Sequence, residues 1–361
     1  KFSDLGCVIH WSKEEEQSCM FYVTGWATGV EVAAMGVLNT SEEKIRENVK
    51  TNLNGGYQLV APHNANTIEI MVVGGGPSLE KMWPEIEEKR KAGMPLVALN
   101  GVYGECLKRG ITPSALVIVD AREFNARFAK PVVDGCKYFI ASQCDPSVFE
   151  GLPKERTYLW HTMSEDIKDL LDEKGDPWYP IPGGSTVLLR TLTMFRMLGF
   201  AKFHLYGCDS CLDDEKHHAY EQAENDSKLA VNVIVGDRVF KCHAWMISQA
   251  QEFMDTIKYL GELMELQIHG DGLLGHILQV GADSLDAQTG DPEYDALYDE
   301  GLRVTQTSPI PMVRRNRFFE LQKQFDSTKG VAGNVAECGV FRGLSSFIMC
   351  HTLKRCDPSF T

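Results

Sequence analysis

Between residues 68 and 73 the chain reads IEIMVV, an apolar run too short for a helix and followed at once by GGGPSL, so a buried strand entering a tight turn is predicted. The unit recurs. PLVALN (95–100), ALVIVD (115–120), KYFIAS (137–142) and KFHLYGCD (202–209) are further apolar runs, several of them ending in a polar or acidic residue. Between them the spacing is that of amphipathic helices: 79–91, then GVYGECLKRG closed by Gly110, then IPGGSTVLLRTLTMFRMLGF (181–200). In the last of these Val187, Leu188, Leu192, Phe195 and Leu198 share a face and Gly199 ends the helix. SEEKIRENVKTNL, starting at Ser41, has a capping residue and an acidic first turn. Across 245–264, Met246, Ile247, Ala250, Phe253, Met254, Ile257, Leu260 and Met264 form one apolar face, with the methionines as core filler. Buried strands alternating with helices predict an α/β fold with a Rossmann-like, mostly parallel sheet and helices on both faces.

The rhythm sets the expected boundaries. Residues 1–45 carry no functional signal, 46–280 hold a nucleotide-binding transferase domain, 281–330 form a linker with helices, and 331–361 begin a different unit. The tract GADSLDAQTGDPEYDALYDEG reads as an acidic linker. A net charge of −14 argues against a nucleic-acid partner, because such binding rests on clustered Lys and Arg, so any phosphate site must be local. No run of about 18 apolar residues predicts a membrane span. KFSDLGCVIHW lacks the plan of a signal peptide, which makes cytoplasmic residence the expectation; the chain lacks an initial Met, and its natural start is expected to lie upstream. The 11 cysteines include one CxxC pair, Cys208 and Cys211, with no second pair at zinc spacing; reduced, buried thiols are expected. Oligomeric state is left open.

The candidate chemistry gathers at strand ends. Gly74, Gly75 and Gly76 remove side chains where the backbone turns, and Pro77 and Ser78 suit the first positions of a helix. Free N–H groups and the helix dipole would then seat a phosphate. Asn100, Asp120 and Asp209 stand at the carboxyl ends of other strands, the edge where open α/β sheets bind ligands. Each has a structural alternative: a packing turn for the glycines, a turn residue for Asn100, a capping carboxylate for Asp209. Asp213, Asp214, Glu215 and His217 offer oxygen and nitrogen donors of the kind a Mg²⁺ site needs, although a solvated acidic loop has the same composition.

Four motifs in order, GGGPSL (74–79), LVALNG (96–101), IPGGSTVLLRTLTMFRMLGF (181–200) and LYGCDSCLDDEKHHAY (205–220), carry a family resemblance. Over about residues 45–280 the chain resembles the motility-associated-factor glycosyltransferases, the archaeal 6-hydroxymethylpterin diphosphokinases and the bacterial CMP-sialic-acid-dependent sialyltransferases. The resemblance implies a transferase that uses a CMP-sugar donor, of the sialic or nonulosonic type, for surface-glycan or flagellin-type glycosylation with a small-molecule or glycan acceptor. It implies that Gly74, Gly75, Gly76, Pro77 and Ser78 lie against the nucleotide phosphate, that Asn100 helps hold the donor, that Gly184 and Ser185 approach its base or sugar, and that Asp209 is the acid of a GxD motif. Ser185 also reads as an ordinary helix cap. Gly75 stands where the sialyltransferases often carry Asn, which removes one side-chain contact. Asp120, with Arg122, would contact donor or acceptor. For the general base, His243, in VFKCHAWMISQAQEF ahead of a long helix, is preferred to His218 in the DDEKHHAY loop. The alternative is a diphosphokinase using ATP with Mg²⁺. Against it, the resemblance implies extra acids after this strand, whereas ALVIVD continues as AREFNARF, with Glu123 the one acid that follows Asp120 there. A second alternative is a non-catalytic nucleotide-binding module.

A further resemblance covers only the end. GNVAECGVFRGLSSFIMCHTL (333–353) is similar to the first strand and turn of macrocin-type O-methyltransferases, with Glu337, Gly339 and Gly343 at the matching positions. Too little chain follows to complete such a domain, so no S-adenosylmethionine binding is expected, and Val335, Val340, Phe341 and Phe347 are expected to be buried against the main domain or a neighbouring chain.

Overall fold

The computed structural model describes residues 7–11, 19–23, 37–38, 40–213, 216, 218–220, 230–235, 238–281, 286–307, 315, 318–319, 321–323, 326 and 342–356. Asp214, Glu215, His217, Val335, Glu337, Gly339, Val340 and Phe341 lie outside them. Near the start, β1 (Cys7–Trp11), β2 (Cys19–Val23) and β3 (Val37–Leu38) form a small antiparallel sheet.

The five apolar runs become β5 (Glu69–Val73), β6 (Leu96–Leu99), β7 (Ala115–Ile118), β8 (Lys137–Ala141) and β11 (Lys202–Tyr206). Together with β4 (Gln58–Leu59), β9 (Thr157–Thr162), β10 (Pro180–Ile181) and β14 (Glu265–His269) they make a nine-stranded sheet in the order β10-β9-β8-β7-β6-β5-β11-β14, with β4 on β9. Every pairing in it is parallel. From β5 the chain steps outward strand by strand to β10. Helix α5 (Val187–Met197) then carries it back to β11 on the other side of β5. Right-handed crossovers in two opposite directions place helices on opposite faces, the Rossmann-like α/β arrangement, and make the β5/β11 boundary the point where strand order reverses.

Helix α1 (Glu42–Leu53) is capped by Ser41, whose hydroxyl accepts from Lys44 N. Two buried asparagines one turn apart fix it over the carboxyl edge of the sheet. Asn52 Nδ2 donates to the carbonyls of Ser142 (2.9 Å) and Cys144 (2.7 Å), and Asn48 Nδ2 to that of Gln143 (3.0 Å). Helix α2 (Leu79–Lys91) spans the expected residues, and α3 (Val102–Lys108) ends ahead of Gly110, which has φ +73°. Helix α4 (Lys168–Lys174) follows β9, and α6 (Ala244–Leu260) buries Met246, Ile247, Ala250, Phe253 and Met254 as the apolar spacing requires.

Three expectations are corrected. Helix α5 does not begin at 181, because Pro180 and Ile181 pair with β9, and its cap is Thr186, which accepts from Leu189 N at 3.1 Å, rather than Ser185. β12 (Ala230–Val235) pairs with β13 (Arg238–His243) and with β15 (Asp286–Gln288), so the tract read as an acidic linker contributes a strand. After α7 (Leu273–Val280) the same tract also supplies α8 (Pro292–Thr305), started by the Asp291 cap and Pro292. Tyr294 and Tyr298 of α8 bury against Leu344 and Ile348 of the helix Leu344–Cys356, and Phe347 of that helix packs beside Gly301. Gly343, at φ +81°, opens this last helix. Among the described residues no helix is long and apolar enough to cross a membrane.

On β9, His161 faces a cavity of about 240 Å³ together with Leu159, Leu171 and Trp178. It is 4% exposed, and burial lowers its pKa to about 4. The unfolded chain, with an ordinary imidazole near pH 6.5, binds more protons between these values, so His161 makes the native state lose stability as pH falls from about 6.5 to 4, by up to about 3 kcal/mol. The check is urea unfolding of the parent and His161→Phe at a series of pH values. The parent is expected to lose stability relative to the variant across that window; parallel curves would contradict a neutral, buried His161.

Candidate functional site

At the β5/β11 boundary the carboxyl ends of the strands open into a cleft of about 590 Å³. Gly74, Gly75 and Gly76 follow β5, Asn100 follows β6, Asp120 follows β7 and Asp209 follows β11; all line the cleft. Gly184, Ser185 and the first turn of α5 form one wall, and Trp245, Met246, Gln249 and Phe253 of α6 extend it. His218 and Tyr220 complete the lining beside the glycine turn. Pro77 and Ser78 belong to the turn that opens α2 and are not among the described lining residues. His243 is 5% exposed at the start of α6, with its ring against Trp245 at 6.0 Å, and is likewise not among them. Of the two candidate bases, the fold brings His218 to the cleft.

The glycine turn differs from the expected row of free amides. Gly74 N donates to the Tyr206 carbonyl (2.8 Å) and Gly76 N to that of Gly207 (2.7 Å). Ser78 N donates to Asp209 Oδ2 at 2.8 Å. The chain's own carboxylate therefore occupies the N-terminus of α2, where helix dipole and amides favour an anion. Asp209 is 4% exposed; burial raises its pKa, and its bond to Ser78 opposes the rise. Close approach explains the glycines. A Cβ at Gly76 would lie 2.4 Å from Asp209 Oδ2, and one at Gly75 would lie 2.6 Å from the Tyr220 hydroxyl. The Gly75 carbonyl accepts from Ala219 N and from His218 Nδ1, both at 3.0 Å, so residues 218–220 lie across the turn. A carbonyl only accepts, which puts the proton of neutral His218 on Nδ1 and leaves Nε2 as the basic nitrogen.

The other candidates divide into held and unheld groups. Asp120 is held by Arg122, whose Nη2 lies 2.5 Å from Oδ2 and whose guanidinium lies 4.6 Å over Phe124. Ser185 donates from its backbone N (2.9 Å) and hydroxyl (2.8 Å) to Glu252 Oε2 on α6, so this turn is tied to the opposite helix. Asn100 sits at φ +49°, and its buried Oδ1 has no hydrogen-bond partner among the described residues. An orphaned acceptor at a strand end is suited to a ligand donor. Cys208 and Cys211 are buried free thiols on the cleft wall; burial pushes the Cys211 thiol up to about 12 and that of Cys208 higher. Among the described residues no group of three or more His, Cys, Asp or Glu is placed to hold a metal ion.

Arg190, Tyr220 and Trp245 were not singled out by sequence reasoning. Arg190 left a signal: a guanidinium inside the apolar run VLLRTL has to be paired or useful. Its Nη1 donates to the Ile181 carbonyl at 2.7 Å, and burial lowers its pKa against an opposing pull from Glu252.

Residues 43–215 match the family of 6-hydroxymethylpterin diphosphokinase MptE-like proteins. Among solved structures, the MAf glycosyltransferase from Magnetospirillum magneticum AMB-1 superposes with a TM-score of 0.50 at 12% identity, covering 88% of this chain and 50% of that one. The chain thus spans half the length of that glycosyltransferase. A mammalian sialyltransferase, solved with Gal-beta-1-3GalNAc-ortho-nitrophenol, aligns more loosely, with a TM-score of 0.32 at 14% identity over 63% of this chain and 79% of that one. No curated protein matches. The four motifs therefore stand beside a family-model match over residues 43–215 and a fold shared with the MAf glycosyltransferase.

The packing of the turn has a direct test. Gly76→Ala pushes a methyl against the Asp209 carboxylate and the Gly207 carbonyl, and is expected to cost about 1–3 kcal/mol by breaking the Ser78 bond to a buried acceptor. Gly104→Ala, in α3 with nothing within 4 Å of its Cβ, is the control and is expected to be neutral or to gain up to about 1 kcal/mol. Urea midpoints that leave Gly76→Ala level with the parent would refute the close contact.

Proposed function

We propose that the chain is a nucleotide-sugar-dependent glycosyltransferase whose donor is a CMP-activated nonulosonic acid of the sialic type and whose acceptor is a hydroxyl on a glycan or protein, in surface-glycan or flagellin-type glycosylation. The observation that carries this is His218: an imidazole on the wall of the switch-point cleft whose Nδ1 meets the Gly75 carbonyl, the tautomer in which Nε2 is the basic nitrogen. The fold it shares with a MAf glycosyltransferase is compatible with the same chemistry. In the step proposed, His218 Nε2 takes the proton of the acceptor hydroxyl while that oxygen forms the new bond to the anomeric carbon. The bond from the anomeric carbon to the phosphate oxygen breaks, and CMP departs with its electron pair. Asp209 positions the β5 and β11 loops by its bond to Ser78. Trp245 and Tyr220 are aromatic members of the lining, the first stacked on His243 and the second on His218, and a pyrimidine is the kind of ring such residues accommodate.

The match of residues 43–215 favours one other reading, transfer of diphosphate from ATP to a hydroxymethylpterin-like substrate. That chemistry calls for carboxylates converging on Mg²⁺. The two strand-end carboxylates of the cleft are engaged elsewhere, Asp120 by Arg122 and Asp209 by Ser78.

A thermal-shift panel of CMP, CDP, UDP, GDP and ATP, each with and without Mg²⁺, separates the readings, since a ligand of the native state raises its stability. CMP is expected to raise Tm without metal; a response to ATP with Mg²⁺ and none to CMP would favour the diphosphokinase. With a CMP-sugar donor, His218→Ala is expected to cut kcat by about a hundredfold or more, the usual range for a lost general base, with CMP affinity unchanged. Loss from His243→Ala alone would move the base to α6, and no loss from either would favour a binding module.

A further inference from the structure

Three features of the cleft bear on where an anion is held. First, the approach to α2 is occupied from within: the amides of Gly74 and Gly76 serve the carbonyls of Tyr206 and Gly207, and that of Ser78 serves the Asp209 carboxylate. A phosphate brought there would meet a carboxylate already on the site. Second, the remaining charge on the lining is largely acidic, with Asp120 and Asp166 besides Asp209, and Arg190 is the sole Lys or Arg among the described residues that line the cleft. Third, Arg190 is fixed and under-used. Its Nη1 is tied to the Ile181 carbonyl, and the other guanidinium N–H groups make no hydrogen bond among the described residues. The preceding turn packs closely on its backbone: a Cβ at Gly183, where φ is +133°, would lie 2.8 Å from the main-chain N of Arg190. Glu252, the acid nearest in effect, already accepts two bonds from Ser185. A desolvated guanidinium with open donors is a strong site for a planar or tetrahedral oxyanion.

We infer that Arg190, and not the glycine turn, is the oxyanion-binding group of this cleft, and that it engages the phosphate of the nucleotide or the carboxylate of the sugar acid. The inference rests on the donor reading above for the identity of the ligand, while the assignment of the anion to Arg190 stands on the geometry alone. The glycine turn is then a joint between two strands, its glycines required by the approach of Asp209 and Tyr220.

The test is calorimetric titration of the parent, Arg190→Gln and Arg190→Lys with four probes: CMP, cytidine, free N-acetylneuraminic acid, and ATP with Mg²⁺. Far-UV circular dichroism and urea midpoints establish that each variant is folded, and Arg190→Lys, which keeps the charge, serves if the glutamine variant is not. If the phosphate is held, Arg190→Gln weakens CMP by about ten- to a hundredfold, the range for a lost charge-assisted bond, and leaves cytidine unchanged. If the carboxylate is held, N-acetylneuraminic acid shows the loss and CMP does not. Arg190→Lys is expected to fall between parent and glutamine variant because it keeps the charge without the fork. If ATP with Mg²⁺ is the only probe bound and Arg190→Gln weakens it, the anion site stands and the donor reading fails. Equal binding of every bound oxyanion by parent and variants overturns the inference while leaving the donor reading intact. Binding of no oxyanion by the parent overturns both.

Discussion

One buried carboxylate organises the carboxyl edge of this sheet. Asp209 leaves the end of β11, crosses to the neighbouring β5 and accepts the amide of Ser78 at the first turn of α2. A carboxylate withdrawn from water is costly unless its charge is answered, and the positive end of a helix supplies the answer here. The bond joins the segments that follow β5 and β11, the paired strands between which the order of the sheet reverses. The glycines follow from it, since Gly76 must let the carboxylate pass and Gly75 must admit the segment bearing His218 and Tyr220. The catalytic imidazole proposed here is therefore placed through the turn that Asp209 holds.

Much of the fold was legible because its strands are buried on both faces. β5, β6, β7, β8 and β11 appear as continuous apolar runs, and α2 was bounded by its own signals at Leu79 and Lys91. β9 was not read because TYLWHT carries threonine and histidine at positions that tertiary packing buries. β14, ELQIH, is an edge strand with a polar, partly exposed composition that looks like a loop. Helices were expected within 281–330, but the acidic tract gave α8 no place among them, because its two buried tyrosines stand among many charges whose local pattern reads as solvent.

The site was legible as a set of strand ends and illegible as electrostatics. Gly74, Gly75, Gly76, Asn100, Asp120, Gly184, Ser185, Asp209 and His218 all reach one cleft, as their places at the carboxyl edge and beside it predict. Which of them remain available was decided by partners far away in sequence. Asp209 meets Ser78, 131 residues apart, and Ser185 meets Glu252, 67 residues apart, and neither pairing leaves a local mark. Motif reading treats a glycine-rich turn ahead of a helix as a phosphate seat because its amides are free. Here the end of β11 and the loop after it take those of Gly74, Gly76 and Ser78, and Arg190 of α5 is the one Lys or Arg among the described residues that line the cleft.

A crystal structure of the chain with CMP tests this account most directly. The account expects the nucleotide in the cleft between β5 and β11, its phosphate or the adjoining sugar position facing Arg190, with Asp209 still bonded to Ser78. A phosphate seated on the N-terminus of α2 with Asp209 displaced from Ser78, or CMP bound away from this cleft, would contradict it.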